Sequence, residues 1–179
     1  SLSWGSSSIA AGKAMAAGAR DVAVIGCGAL GLTSAILLQQ AGARVTIYAK
    51  ERPPEVRSAR ATGSWTPDSR IALTNSVAPD FPALWEKMCR ASFHRYESYL
   101  GMAGNPVEWT DQYTLWDQSP ADRQSSQRRD DALDFAHYRD RVTDLTPHYQ
   151  DLPPGSHPFP TRYARRNSSL TFNIAGYSR

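Results

Sequence analysis

The sequence predicts an α/β protein in which a parallel strand, helix and strand unit is followed by an incomplete α+β region. Three observations carry this reading. A β-branched, apolar run at Asp21–Ile25 leads directly into the glycine pattern Gly26–Gly31. A stretch rich in Leu, Ala and Ile then runs to Gly42, and a second β-branched run, Arg44–Tyr48, completes the unit. Alternation of this kind in so short a span is a crossover connection between parallel strands, the Rossmann-type arrangement. The 179 residues, 41% hydrophobic and 21% charged, have an ordinary globular composition and suffice for one domain with part of a second.

Each element follows from local pattern. Ser1–Ser8 reads as a polar opening, and Ile9–Ala17 as a short helix that Gly18 ends. Asp21–Ile25 reads as a buried strand, Ala29–Ala41 as a helix closed by Gly42, and Arg44–Tyr48 as the second strand. Glu51–Pro67 holds three prolines and a glycine, which predicts an extended loop. From Phe81 to Leu100, the residues Leu84, Trp85, Met88, Ser92, Tyr96, Tyr99 and Leu100 recur at helical spacing. The spacing predicts a long amphipathic helix whose aromatic stripe is core. Val107–Trp116 alternates as a strand does, with its apolar side chains mainly on odd positions. Gln118–Asp131 offers a core almost nothing and reads as a mobile surface loop. Thr146–Pro160 is rich in proline, Arg162–Phe172 predicts one or two strands, and Asn173–Arg179 looks like the first turns of a further element.

Composition excludes several classes. The net charge of +3 is mild, and the clusters Arg128-Arg129 and Arg165-Arg166 form no basic stripe interleaved with aromatics, so no nucleic-acid partner is expected. The two cysteines, Cys27 and Cys89, have neither metal-ligand spacing nor the look of a disulfide framework, so no metal is expected. No apolar stretch approaches the roughly 18 residues needed to span a bilayer, which predicts no membrane span and a cytoplasmic setting.

The candidate site is the glycine turn Gly26-Cys27-Gly28-Ala29-Leu30-Gly31, a G-x-G-x-x-G between a strand and a helix. In that setting the first glycine allows the tight turn and the second lets a pyrophosphate approach the backbone. The third lets the helix lie close on the strand. Free N–H groups at Ala29 and Leu30, at the positive end of the helix dipole, are expected to face phosphate. Cys27 reads as a small packing residue. At the end of the second strand, Ala49, Lys50 and Glu51 stand where a ribose contact is expected, with Glu51 as the acid; a solvated turn is the competing reading there.

Downstream, Tyr48–Pro67 reads YAKERPPEVRSARATGSWTP. This stretch resembles the D-amino-acid oxidase family of flavoproteins, with Thr62-Gly63-Ser64-Trp65-Thr66-Pro67 matching the family's Ala-Gly-x-Trp-x-Pro without a gap. The resemblance implies a glutathione-reductase-like FAD-binding class. It further implies FAD contacts from Arg57 and Ser58 to phosphate or ribose, and Thr62, Gly63 and Ser64, with Trp65 beside them, along the flavin. The family's acid aligns with Lys50, and its first hydroxyl residues with Val56 and Arg57. Ser1-Leu2-Ser3-Trp4-Gly5 resembles a stretch that lies near the family's C-terminal end, which implies a permuted order with that flavin-binding helix ahead of the first strand.

The expected organisation is therefore a helical segment over 1–20, an FAD-binding part over 21–104 and an incomplete substrate-domain part over 105–179. The implied activity is oxidation of an amine or D-amino acid, with dioxygen as electron acceptor and hydrogen peroxide as product. No catalytic residue is assigned within the chain: the resemblance places the substrate-carboxylate arginine and active-site tyrosines in segments, or another chain, that complete the domain. The alternatives are an NAD(P)-dependent dehydrogenase, which has no use for the Thr62–Pro67 motif, and a catalytically silent dinucleotide-binding subunit.

Overall fold

The computed structural model describes residues 2–68, 71–119, 122 and 134–177. The chain forms two compact units: residues 1–65, 87–108 and 171–179 make the first, and residues 66–86 and 109–170 the second. The chain crosses between these units four times. The reason is local. Helix α3 and the two long strands each run through a unit boundary, and such elements carry no breaker residue to announce a crossing.

In the first unit, α1 (Ser3–Ala16) precedes β1 (Asp21–Ile25), α2 (Ala29–Gln40) and β2 (Arg44–Tyr48). Strands β1 and β2 pair in parallel, from Asp21 opposite Arg44 to Ile25 opposite Tyr48. Both strands have the bounds that their β-branched runs predict. Their burial differs from expectation: only Val24 of β1 is buried, and Ile25 is 89% exposed. A sheet of two strands among the described residues leaves those positions uncovered. The core lies on the helical side, where Ala11 of α1 meets Val24, Ala35, Leu38 and Ala43. Small residues let the two helices approach this sheet closely.

Helix α1 begins six residues before its predicted start, so the Ser/Trp/Gly opening is helical. Tertiary contacts override its weak local propensity. Ser3, Trp4, Gly5, Ser7 and Ala11 are buried along one face. Ser3 Oγ lies 3.0 Å from Tyr96 Oη, the Gly5 N–H donates to Ser92 Oγ at 2.8 Å, and Ser7 Oγ lies 2.9 Å from Thr33 Oγ1. Gly5 also rests on the backbone of Met88: a Cβ there would lie 2.1 Å from the Met88 carbonyl oxygen. Gly18, at φ +80°, turns the chain after the helix as expected.

Helix α3 (Phe81–Glu97) is three residues shorter than predicted. Its fully buried side chains are Trp85, Cys89, Ser92 and Tyr96, with Phe93 nearly so, whereas Leu84 is 38% exposed. The four-residue spacing from Trp85 defines a face that turns Leu84 outward. The Glu51–Pro67 loop contains a 3-10 turn at Arg57–Arg60 and an isolated bridge from Ser64 to Thr171.

The second unit carries a three-stranded sheet in the order β3 (Val107–Trp116), β5 (Tyr163–Phe172), β4 (Gln150–Leu152), with β4 and β5 antiparallel. The ends of β3 and β5, residues 107–108 and 171–172, belong to the first unit. Arg162–Phe172 is one strand, and the proline-rich stretch holds the short β4. The expected apolar face of β3 is open, with Trp109, Tyr113 and Leu115 each at least 40% exposed. Arg166 pairs with Asp111 at 2.6 Å, and Arg165 forks onto both oxygens of Asp151. The predicted loop over Gln118–Asp131 and the cluster Arg128-Arg129 fall largely or wholly outside the described residues. Beyond Asn173 the described chain forms a single helical turn, Ile174–Tyr177.

Candidate FAD site

Gly26 follows β1 at φ +103°, a conformation that side chains disfavour, and its N–H donates to the Tyr48 carbonyl at 2.8 Å. Gly31 sits one helical turn into α2 against the same residue. A Cβ on Gly31 would lie 2.0 Å from the Gly26 carbonyl oxygen, so this glycine is required for contact between the turn and the helix. Gly28, the N-cap of α2, has ordinary extended geometry at φ −86°. A Cβ there would meet only Ser58 Oγ, at 3.3 Å. The nearest neighbour of Gly28 is thus one side-chain hydroxyl and not backbone, and the second glycine of such a turn is the one a pyrophosphate approaches.

The N–H of Ala29 is not free, as sequence reading has it. It donates to Ser58 Oγ at 3.1 Å, so a residue distant in sequence caps the helix. Ser58 accepts this bond with its oxygen and keeps its own proton for another acceptor.

Beside this turn opens a cavity of about 690 Å³ within the first unit. Cys27, Ala29, Ser58, Thr62, Gly63 and Ser64 line one part of it. Cys27 is half-buried there rather than packed away. Trp4, Tyr96, Tyr99, Met102 and Phe172 are among its other lining residues. The Thr62–Ser64 loop is fixed by Gly63, whose φ is +83° and whose carbonyl accepts the Phe172 N–H at 2.8 Å. A Cβ on Gly63 would come within 2.7 Å of the Phe172 carbonyl oxygen. The lining combines small and hydroxyl residues with aromatic rings, so it offers a ligand both polar contacts and planar packing surfaces.

Other sequence-predicted residues stand apart from this cavity. Trp65 is 1% exposed and packs on Phe93, with ring centroids 5.2 Å apart, and its side chain does not line the cavity. Leu30 is 61% exposed beyond the lining. Ala49, Lys50, Glu51 and Arg57 are exposed and do not line it either. Conversely, Trp4, Tyr96, Tyr99 and Phe172 escape the reading of motifs. Helical spacing marks Tyr96 and Tyr99 as core, and the only sign of Trp4 is the short N-terminal resemblance.

Perturbed carboxylates occur in the second unit. The Ser168 hydroxyl, at 2.7 Å, and then the Arg166 guanidinium hold the Asp111 carboxyl below its ordinary range. Arg165 does the same for Asp151. Both basic residues of the Arg165-Arg166 cluster are therefore engaged with acids. Among the described residues, no group of three or more His, Cys, Asp or Glu side chains could hold a metal ion, and no helix is long and apolar enough to cross a membrane.

A strand, a glycine turn and a capped helix N-terminus are the parts of a dinucleotide-binding unit. Residues 21–164, four-fifths of the chain, match the model of the FAD-dependent oxidoreductase family, and the chain belongs to that family. No curated protein matches it. FAD is the cofactor that family membership assigns, and the glycine turn beside the small-residue and aromatic lining fits it.

Proposed function

We propose that the protein oxidises the CH–NH2 carbon of an amine or D-amino acid to the imine, using FAD and dioxygen and forming hydrogen peroxide. The carrying observation is that one cavity joins the glycine turn to the Thr62–Ser64 loop, the two stretches that the oxidase resemblance relates to FAD. In this reading the Leu30 N–H and the Ser58 proton bind the pyrophosphate, which approaches at Gly28. Thr62, Gly63 and Ser64 lie along the flavin, with Trp65 holding their loop from behind through its contact with Phe93. Arg57 and the strand end Ala49-Lys50-Glu51 reach the outer phosphate or the adenosine ribose. Trp4, Tyr96 and Tyr99 close the ring end and exclude water. FAD held by these residues would supply a hydride acceptor for the substrate Cα–H and a route for the electrons to dioxygen.

Helix α1 acts as the family's C-terminal flavin-binding helix placed ahead of β1. Its buried contacts with α2 and α3 support that role, since they make it part of the cavity wall. Orientation of substrate falls to segments, or another chain, that complete the substrate domain. The test is anaerobic mixing of the FAD-loaded, completed protein with D-amino acids and primary amines. The reading expects the flavin absorption to bleach and peroxide to form on admitting air. Bleaching by NAD(P)H alone, with no amine active, would replace it with a nicotinamide-linked activity.

A further inference from the structure

We propose that Arg95 is a positioning residue for the ring end of the FAD site, a fixed cation that acts through Trp4 and Tyr99 to favour reduced over oxidised flavin. The inference rests on the reading above that the aromatic end of the cavity takes the flavin. Arg95 lies in the last turn of α3, with its guanidinium carbon 4.6 Å from the Trp4 ring centroid and 5.4 Å from that of Tyr99. The two rings are 6.4 Å apart, and both line the cavity.

Arg44, Arg139, Arg141, Arg165 and Arg166 each pair with a carboxylate. Arg95 pairs with none among the described residues, and Glu97 on the same helix instead engages His94 at 3.0 Å. Its Nε is buried with no hydrogen-bond partner. An unsatisfied buried nitrogen is costly and asks for a compensating role. Stacking on the two rings offsets part of that cost. The remaining field reaches the cavity that the two rings line. Reduction adds electrons to the ring system, so a cation behind the wall stabilises the reduced form more than the oxidised one.

A purely structural Arg95 would hold Trp4 in place without regard to charge, and this separates the two roles. The experiment measures FAD affinity and the two-electron midpoint potential for wild type, Arg95→Gln and Arg95→Lys, with thermal melts to establish folding. Arg95→Gln is expected to bind oxidised FAD within about threefold of wild type, well under one decade in affinity. Reduced FAD should bind about tenfold more weakly, a fall in potential of about 30 mV. Arg95→Lys should recover most of that fall. An unchanged potential in Arg95→Gln with FAD bound would overturn the inference, as would equal shifts in both variants, which would assign the effect to packing. Failure of the wild-type chain to bind any FAD would overturn the site reading itself, and the inference with it.

Discussion

Gly28 and Gly31 lie three residues apart in one motif, and the structure gives them opposite consequences. In Gly31→Ala the new Cβ would stand 2.0 Å from the Gly26 carbonyl oxygen and 2.9 Å from its carbon, both backbone atoms. The helix must move off the turn, and overpacking of this kind costs about 1–3 kcal/mol, more than the gain in helix propensity from Gly to Ala. In Gly28→Val the Cβ meets the movable Ser58 hydroxyl at 3.3 Å and valine replaces glycine at an N-cap, so the ligand-free fold should lose only about 1 kcal/mol. The valine methyls instead occupy the approach of the pyrophosphate. A steric cost of about 1–3 kcal/mol placed on the bound state alone weakens FAD by about 5- to 150-fold. Urea unfolding of the FAD-free proteins gives the first quantity and flavin fluorescence titration the second. Gly31→Ala should lose stability, and Gly28→Val should lose affinity. Equal stability loss in both, with FAD affinity intact in Gly28→Val, would refute the assignment of that glycine to the ligand.

Other outcomes follow from single contacts. Trp65→Ala removes a side chain that is 1% exposed and packed on Phe93, and should cost about 3–5 kcal/mol in urea unfolding; a loss below about 1 kcal/mol would show that the loop does not depend on it. Gly5→Ala drives a Cβ to within 2.1 Å of the Met88 carbonyl oxygen and should loosen α1, read as faster amide exchange in residues 3–16; unchanged exchange would contradict the packing. Ser58→Ala removes the Ala29 cap and a phosphate donor together, so it should lower FAD affinity by about tenfold, equal to about 1.4 kcal/mol; unchanged affinity would remove Ser58 from the site. The folded-state pKa values of Asp111 and Asp151 are depressed, so their stabilising effect is full above the ordinary carboxylate pKa of about 4 and is lost as pH falls through the lower folded values. Stability measured from pH 7 to 2 should fall mainly below about pH 4, and less in Asp111→Asn; an identical acid limb in that variant would refute the linkage.

The sequence made β1, β2 and nearly all of α2 legible because each is a short local pattern bounded by glycine. Their burial was not legible: a β-branched run signals a strand but not how many neighbours cover it, and Ile25 and Tyr48 stand exposed. Helix α1 was misjudged because Ser3, Gly5 and Ser7 are poor helix formers whose value is the hydrogen bonds and close backbone contact they make with Tyr96, Ser92, Met88 and Thr33. Such partners lie up to 93 residues away. The site divided in the same way. Gly26, Gly28 and Gly31 are readable because each meets a backbone requirement within the motif. The aromatic lining is assembled from α1, α3, the residues just after α3 and the end of β5, and no window of sequence contains it.

Identification of the nucleotide bound by the purified chain tests the central claim most directly. The protein is reconstituted with an equimolar mixture of FAD, NAD and NADP, desalted and heat-denatured, and the released ligand is separated by chromatography. The account predicts FAD in near-stoichiometric amount from wild type and a large loss of it from Gly28→Val. Recovery of NAD or NADP in place of FAD, or equal FAD retention by wild type and Gly28→Val, would contradict it.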